Sequence, residues 1–379
     1  MNCIGIETFS GTPVEVTFDS VITAVQPARE TDGRYLAPGW IDLQVNGFLG
    51  VDFNDPKCTM EQIARSIRGM FATGVTRFYP TVITGSPGDM LDALRNLACA
   101  KDTLREGAAI DGFHVEGPHI SPEDGPRGAH PRRWVRPPNL DEFHRWQEVT
   151  GRRVRIVTLA PEWPEACAYI EAVTAEGVVV SIGHTAATAQ QIADAVSAGA
   201  TLSTHLGNGA HPVMRRHPNY IWEQLAEDRL MADFIVDGIH LPPSFLKVAL
   251  RAKTVARSVL VTDAAAPAGC PPGRYQLGEQ AVDLTADNRV MLVGQERLAG
   301  SALRMDRGVE NLMRIGGLSL ADAVRMATTN AARAGHVPGR TGGLTPGDRG
   351  DVIQFRFDAE KKAIAIEATY VAGTQVFSA

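Results

Sequence analysis

The hydrophobic positions between residues 39 and 265 predict strands and helices in alternation. Eight apolar runs rich in valine and isoleucine have the pattern of buried strands, and polar residues cluster where the runs end. The eight ends are Gln44-Val45-Asn46, Tyr79-Pro80-Thr81, Val115-Glu116, Val157-Thr158-Leu159, Ile182-Gly183-His184, Thr204-His205, Ile235-Val236-Asp237 and Val261-Thr262-Asp263. Eight strand–helix units predict a (β/α)8 barrel rather than a doubly wound sheet.

Helix boundaries are marked between these strands by capping residues and by glycines at C-termini. The signals are Thr59 with Gln62, Ser86 before Pro87, Thr188 with Gln191, and the glycines Gly177 and Gly199. Beyond the eighth strand, residues 302–315 and 320–334 predict two further helices packed outside the barrel.

Both ends of the chain alternate apolar and polar residues in the manner of strands. The segments with this pattern are 14–18, 21–25, 351–357 and 363–367. We therefore expect a small β-sandwich domain assembled from residues 1–38 together with 338–379, and a metallohydrolase barrel over residues 39–337.

Composition is that of a soluble globular enzyme: of 379 residues, 44% are hydrophobic and 21% are charged. The net charge of −6 argues against binding to nucleic acid or to a membrane surface. No apolar run approaches the ~20 residues of a membrane span, and no secretory signal is visible. Five scattered cysteines without a C-x-x-C pair favour reduced thiols, so we expect a cytoplasmic protein.

A carboxylate stands at the end of the third predicted strand, because Gly117-Pro118 stops the run directly after Glu116. At the mouth of a barrel such a residue is a metal ligand or a catalytic group, whereas the alternative is a solvated turn residue. His184 and His205 end two later strands. One glutamate and two histidines leave a coordination position open for water, and Asp263 can then act beside it as a general base.

The other histidines have simpler interpretations, with one exception. His114 is expected to be a core histidine satisfied by hydrogen bonds, or a group behind the metal ligands. Predicted loops, where solvent exposure is the default, hold His119, His130, His211 and His217. Among these, His130 ends the long loop that begins at Glu116. Such a loop can fold over the mouth and bring a donor to a substrate carbonyl.

Two further segments allow more than one interpretation. Arg215-Arg216 is either an exposed pair on a charged face or an anion clamp, since arginine pairs with phosphate in a bidentate manner. Residues 298–301, with the sequence Leu-Ala-Gly-Ser, are most simply a turn.

Seven segments distributed from end to end of the chain resemble those of the N-acetylglucosamine-6-phosphate deacetylases in the amidohydrolase superfamily. They are residues 38–47, 114–118, 183–185, 204–206, 237–240, 260–264 and 298–301. Together these segments are highly specific, although any one of them alone is weak. The resemblance implies hydrolysis of the N-acetyl group of an amino sugar, first of all N-acetyl-D-glucosamine 6-phosphate.

The resemblance also implies a metal site. Glu116, His184 and His205 would bind one divalent metal ion per subunit, with zinc expected first and iron, manganese or cobalt also suited to these ligands. Gln44 and Asn46 stand where relatives with two metals carry two histidines, which argues against a full second metal.

By the same resemblance, Asp263 is the acid and base of the reaction and His130 contacts the substrate carbonyl. Asn208 and the backbone of Gly209 would lie near the phosphosugar. His240 and Arg216 would complete the anion site. In the family that arginine comes from the neighbouring subunit, so a homodimer is expected.

The chain departs from the family pattern at residues 206–211 and at His119, and both departures are expected to face the sugar pocket. Other functions stay open: hydrolysis of a different N-acyl amino sugar, hydrolysis of a cyclic amide as by dihydropyrimidinases and hydantoinases, and non-catalytic binding of a sugar phosphate. The cyclic-amide hydrolases usually need paired histidines on the first strand, and a binding protein need not keep Asp263.

Overall fold

The computed structural model describes residues 1–278, 280–295 and 297–379. Its strands are β1 (Asn2–Glu7), β2 (Pro13–Phe18), β3 (Ile22–Pro27), β4 (Tyr35–Pro38), β5 (Trp40–Val45), β6 (Gly47–Phe48), β7 (Val51–Asp52), β8 (Val75–Ile83), β9 (Phe113–Glu116), β10 (Val154–Leu159), β11 (Val179–Ile182), β12 (Leu202–Ser203), β13 (Met231–Ile235), β14 (Ser258–Val261), β15 (Gly273–Leu277), β16 (Gln280–Leu284), β17 (Arg289–Leu292), β18 (Leu298–Ser301), β19 (Val352–Asp358), β20 (Ala363–Val371) and β21 (Thr374–Ser378). Its α-helices are α1 (Met60–Phe71), α2 (Pro87–Thr103), α3 (Leu140–Val149), α4 (Ala166–Ala175), α5 (Ala189–Ala198), α6 (Tyr220–Ala226), α7 (Pro243–Lys253), α8 (Met305–Arg314), α9 (Leu320–Ala327) and α10 (Thr329–Ala334).

Eight parallel strands form the barrel, in the order β5-β8-β9-β10-β11-β12-β13-β14. Backbone hydrogen bonds close it between the first and last strands: Asp263 N–H donates to Gln44 O at 2.9 Å, and Asn46 N–H donates to Ala264 O at 2.8 Å. The strands alternate with helices α1 to α8. The predicted (β/α)8 class is confirmed, and each of the eight predicted strands is present.

The capping residues act as the sequence indicates. Both predicted capping boxes are formed, at the starts of α1 and α5, and α2 begins at Pro87 after the cap Ser86. One helix prediction is wrong: residues 320–334 form two helices, α9 and α10, because Thr328 leaves the helical conformation at φ −134° and ψ −89°. The break lets α9 and α10 each pack against β5 and β14. No helix of the described chain is long and apolar enough to span a membrane.

The strands from both termini form one seven-stranded sheet in the order β21-β20-β19-β4-β1-β2-β3, as expected of a β domain built from the two ends of the chain. The two halves of this sheet pack their apolar faces against each other. Phe18 of β2 meets Tyr370 of β20 edge to face, with 5.2 Å between ring centroids.

A four-stranded antiparallel sheet, β15 to β18, is inserted between β14 and α8. It was not predicted, and the expected turn at residues 298–301 is wrong, because these residues form β18. The physical reason is exposure: β15 is largely solvent-accessible, so its sequence shows little of the apolar alternation that marks a buried strand. The insertion returns to the barrel where Ala265 N–H donates to Ser301 O at 2.9 Å.

Candidate active site

Four polar side chains meet at the carboxyl end of the barrel. Glu116 is the last residue of β9, while His184, His205 and Asp263 each lie two residues beyond the ends of β11, β12 and β14. All three of these residues have positive φ angles, of 51°, 27° and 48°. Such angles cost backbone energy in residues that carry a Cβ atom, and they cluster at functional sites. The chain therefore turns sharply inward at the same point of three different strands.

Glu116, His184 and His205 bring three donor atoms into a tight triangle. Glu116 Oε1 lies 3.1 Å from His184 Nε2 and 2.9 Å from His205 Nε2, and the two Nε2 atoms are 3.1 Å apart. Ligand atoms on one tetrahedral zinc ion are about 3.3 Å apart, given bonds of ~2.0–2.1 Å. His184 Nδ1 lies 2.8 Å from Pro126 O, which favours the tautomer with a free Nε2 lone pair. This donor set fits a divalent metal ion.

The buried carboxylate of Glu116 also requires a positive charge beside it. Burial alone would raise the pKa of Glu116, but the adjacent His184 and His205 outweigh it and hold that pKa well below its usual range. Burial acts against a charge on His205 as well, yet the bond to Glu116 raises the pKa of His205 to about 9. The carboxylate is therefore ionised and buried, which is stable only beside a proton or a cation.

His130 supplies a further imidazole beside this triangle. Donor atoms of Glu116, His130 and His184 lie within 4.8 Å of one another, and the His130 and His184 rings are 4.4 Å apart. The loop that begins after Glu116 folds over the mouth, as the sequence suggests for His130, and leaves this side chain 5% exposed. Burial, followed by the charge of His184, lowers the pKa of His130 to about 3, so the ring is neutral. Its Nδ1 lies 2.8 Å from the hydroxyl of Thr84.

Asp263 lies at the closure of the barrel. Burial raises its pKa to about 7, and the charge of Glu116 adds to this effect, while His205 and His240 oppose it. The side-chain amide of Asn46 donates to Asp263 Oδ1 at 2.6 Å and also lowers the pKa of Asp263. A carboxyl group with a pKa near neutrality can both accept and return a proton.

Gln44 and Asn46, on the first barrel strand, differ in their bonding. The amide Nε2 and Oε1 of Gln44 are buried without a hydrogen-bond partner among the described residues, and so is Oδ1 of Asn46. Buried amide groups are usually paired, so these atoms mark a polar space at the mouth that the described protein groups do not satisfy.

Beneath the mouth, His114 belongs to a chain of hydrogen bonds inside the barrel. Its Nδ1 lies 3.1 Å from Leu43 O and its Nε2 lies 2.7 Å from Thr158 Oγ1, which is 2.7 Å from Thr204 Oγ1. Burial lowers the pKa of His114 to about 4, so it is neutral. The structure thus places His114 in the core with both ring nitrogens satisfied.

Three of the residues predicted to bind substrate contact other residues of the site. Gly209 packs against His184 so closely that a Cβ atom there would lie 2.6 Å from the ring Nδ1. Asn208 donates from its side-chain amide to His205 O at 3.3 Å, and His240 Nδ1 lies 2.5 Å from Asp237 Oδ2.

Arg216, by contrast, is exposed on the loop after β12. Its side chain forms no hydrogen bond or ion pair with any residue that the structure describes. The structure therefore leaves this arginine on the surface of its own chain. His217, next to it, is exposed as expected, whereas His211 is half-buried with Nδ1 2.9 Å from the hydroxyl of Tyr220.

Two expectations about His119 are wrong. It is fully buried instead of exposed, and it does not face the sugar pocket. Its ring packs on Trp146 of α3 and Tyr169 of α4, with centroid distances of 5.7 and 5.2 Å. The side chain therefore lies in the layer of outer helices.

Sequence reasoning missed several groups that shape the site. Asp233 of β13 accepts a hydrogen bond from His205 N–H at 2.5 Å, and Thr84 contacts His130. The signal for Asp233 was present, because a lone carboxylate in an apolar strand requires a partner. A cavity of about 420 Å³ between residues 127–131 and the four-stranded sheet, lined in part by His130 and Arg297, had no sequence signal at all.

The sequence model of the amidohydrolase family matches residues 35–376. The chain belongs to the amidohydrolase family. Members of this family are metal-dependent hydrolases, in agreement with the candidate metal group at the mouth of the barrel.

Among amidohydrolases of known function, the chain is 34% identical over 328 residues to the N-acetylglucosamine-6-phosphate deacetylase of Bacillus subtilis, covering 86% of this chain and 81% of that protein. It is 33% identical over 340 residues to the N-acetylgalactosamine-6-phosphate deacetylase of Escherichia coli O157:H7, covering 88% of each. A solved structure of a variant of N-acetyl-D-glucosamine-6-phosphate deacetylase from Mycobacterium smegmatis, in complex with N-acetyl-D-glucosamine-6-phosphate, superposes with a TM-score of 0.88. It is 30% identical and covers 100% of both chains.

Proposed function

We propose that this amidohydrolase hydrolyses the N-acetyl group of N-acetyl-D-glucosamine 6-phosphate and releases acetate and D-glucosamine 6-phosphate. The observation that carries the proposal is the convergence of Glu116, His184 and His205 within 3.1 Å, in the same mouth as Asp263. The names of the relatives supply the substrate class.

The three converging residues would hold one divalent metal ion per subunit. Zinc fits a set of one carboxylate and two imidazoles, and iron, manganese or cobalt would fit it as well. When bound, such an ion lowers the pKa of water toward ~7 and polarises a carbonyl group. Gln44 and Asn46 offer no imidazole for a second ion, which supports a single-metal centre.

Asp263 takes a proton from the attacking water and passes it to the departing nitrogen, which would otherwise be a poor leaving group. Its pKa of about 7 suits both transfers. The hydroxyl of Thr84 can donate to Nδ1 of His130, so that Nε2–H of this neutral ring donates to the amide oxygen as negative charge develops there. One such donor is worth roughly 3–4 kcal/mol in other hydrolases.

Asn208 and the backbone of Gly209 would contact the phosphosugar, and His240 with Arg216 would bind its phosphate. We assign Arg216 to the active site of a second subunit, because the side chain is exposed and has no partner within the described part of its own chain. The working form is then a homodimer with isologous exchange of the two arginines. We place it in the cytoplasm, in keeping with its unpaired cysteines.

The test is acetate release from purified enzyme supplied with N-acetyl-D-glucosamine 6-phosphate, with its unphosphorylated form and with N-acetyl-D-galactosamine 6-phosphate. The proposal requires the first to have the highest kcat/KM. A higher kcat/KM for the galactosamine ester would identify this C4 epimer as the substrate, in line with the name of one relative.

The same enzyme preparation is also tested for hydrolysis of cyclic amides. Hydrolysis of dihydrouracil or hydantoin without activity on any N-acetyl sugar would overturn the proposal. Binding of sugar phosphate without turnover, in protein with a full complement of metal, would identify a non-catalytic binding protein instead.

A further inference from the structure

A second cavity lies at the opposite end of the barrel from the active site. Its volume is about 850 Å³, and its walls come from α9, α10, the segment around Ala256 and the β domain. Ala256 lies two residues before β14, whereas Asp263 lies two residues after that strand. Four strand residues span roughly 13 Å, so the cavity and the proposed catalytic centre face opposite ends of the barrel.

The lining of this cavity is strongly basic. The exposed side chains of Arg325, Arg333 and His336 contribute to it, the buried side chain of Arg340 lies behind them, and none of the described residues that line it carries a carboxylate. Two exposed arginines and a histidine, with a buried arginine behind them, create a positive potential that attracts anions. The acidic net charge of the chain makes such a concentration of basic groups more notable.

The neighbouring carboxylates of Asp351 and Asp348 are already engaged by other groups. Asp351 accepts from Arg77 Nε at 2.6 Å and lies 3.3 Å from Arg349 Nε, so that it reaches Arg340 only at 3.9 Å. Asp348 accepts from the backbone N–H of Thr341 at 2.9 Å. The basic groups of the cavity are therefore only partly compensated within the described chain.

Arg340 lies behind the wall of the cavity, where its Nη1 donates to Gly343 O at 3.4 Å and its Nη2 donates to Asp351 O at 3.2 Å. Its side chain is fully buried, and its Nε–H has no hydrogen-bond acceptor among the described residues. Burial lowers the pKa of Arg340 to about 10, which still leaves it charged at neutral pH. A buried charge that is only partly compensated adds to the positive potential of the adjacent space.

The cavity also connects two parts of the molecule. Arg325 of α9 lies over the ring of Phe9 at 5.2 Å, which holds its guanidinium at the boundary between the barrel and the β domain. Thr341 and the glycines at 342 and 343 form the wall on the β-domain side. An anion in this space would be contacted from both sides at once.

We propose that this cavity binds a phosphate group, either as inorganic phosphate or as part of a phosphomonoester, between the barrel and the β domain. Arginine favours phosphate because its planar fork donates two parallel hydrogen bonds to two oxygens. The volume exceeds that of phosphate alone and accommodates a small phosphorylated metabolite. The site is independent of the proposed deacetylase chemistry at the other end of the barrel.

Titration calorimetry at constant ionic strength tests this, with inorganic phosphate and with glucose 6-phosphate as separate probes. Arg325→Gln and Arg333→Gln remove one exposed cation each, and Arg145→Gln removes an exposed cation from α3 as the matched control. Losing a charged hydrogen bond weakens binding roughly tenfold or more. We expect that loss in the two cavity variants, wild-type affinity in Arg145→Gln, and unchanged kcat/KM for deacetylation in all three.

Tighter binding of the ester than of phosphate would identify a phosphorylated metabolite as the ligand, and equal affinity would identify the free anion. Binding that is unaltered in both cavity variants would place the anion elsewhere. That result, or the absence of binding to the wild-type protein, overturns the proposal. The far-UV circular dichroism and thermal midpoint of each variant confirm that it is folded.

Discussion

Asn46 donates a hydrogen bond of 2.6 Å to Asp263 across the closure of the barrel, from just beyond the first strand to just beyond the last. The two residues are 217 positions apart in sequence. The bond orients the carboxylate toward the mouth and opposes the rise in its pKa that burial causes. The proposed acid and base is thus held by the same contact that joins the ends of the sheet.

Asp263→Asn should retain metal and bind substrate but lose kcat by about 10²–10⁴, because the carboxamide can neither accept nor return a proton. Steady-state kinetics together with metal analysis of the same preparation measure both properties. Near-normal kcat in the variant would show that another group moves the proton.

His184→Asn and His205→Asn should each lower the metal content of the purified protein, since each removes one donor of the triangle. Elemental analysis after gel filtration gives the stoichiometry, and His144→Asn, an exposed histidine on α3, is the control. If both variants kept the wild-type stoichiometry, the assigned ligand set would be wrong.

Gly209→Ala should reduce both metal content and activity, because the new Cβ would lie 2.6 Å from Nδ1 of His184 and displace its ring. Gly278→Ala is a matched control: both glycines have φ of 54°, but a Cβ atom at Gly278 has no described neighbour within 4 Å. The control carries the same backbone strain without the contact. Equal effects of the two substitutions would assign the loss to strain alone.

Arg216→Ala should raise KM for the phosphorylated sugar more than it lowers kcat, by the ~1.5–3 kcal/mol of a charged hydrogen bond. Mixing these subunits with Asp263→Asn subunits should produce heterodimers in which one site has both Asp263 and a donated Arg216. Activity at low substrate should then exceed the sum of the two parents. Confirmed subunit exchange without any gain would mean that the arginine serves its own chain or no substrate.

His119 should make the protein sensitive to acid. Burial lowers its pKa to about 4, against ~6.5 when unfolded, so between these values the unfolded chain binds a proton that the folded chain excludes. The free energy of unfolding should fall by about 3 kcal/mol from this residue alone as the pH drops from 6.5 to 4. Urea unfolding at several pH values should therefore show a weaker pH dependence for His119→Phe than for the wild type, and parallel curves would contradict this.

Much of the barrel was predictable because its signals are local. Apolar runs, capping boxes and polar residues at strand ends are each defined by residues only a few positions apart. The capping box of Thr59 with Gln62 and the position of His184 after an apolar run can therefore be recognised from the sequence. The sheet β15 to β18 lacks much of that signal, since β15 is largely exposed and its sequence shows little apolar alternation.

The sequence by itself determined the order of strands and helices, the position of the polar residues at strand ends, and the chemical types that gather at the mouth. Only the tertiary structure decided that His119 lies among the outer helices while His130 lies beside the metal group, although both belong to one loop. It also paired Asn46 with Asp263 and set Gly209 against His184. These contacts join residues distant in sequence, and their geometry follows from barrel closure and loop packing, which no local pattern encodes.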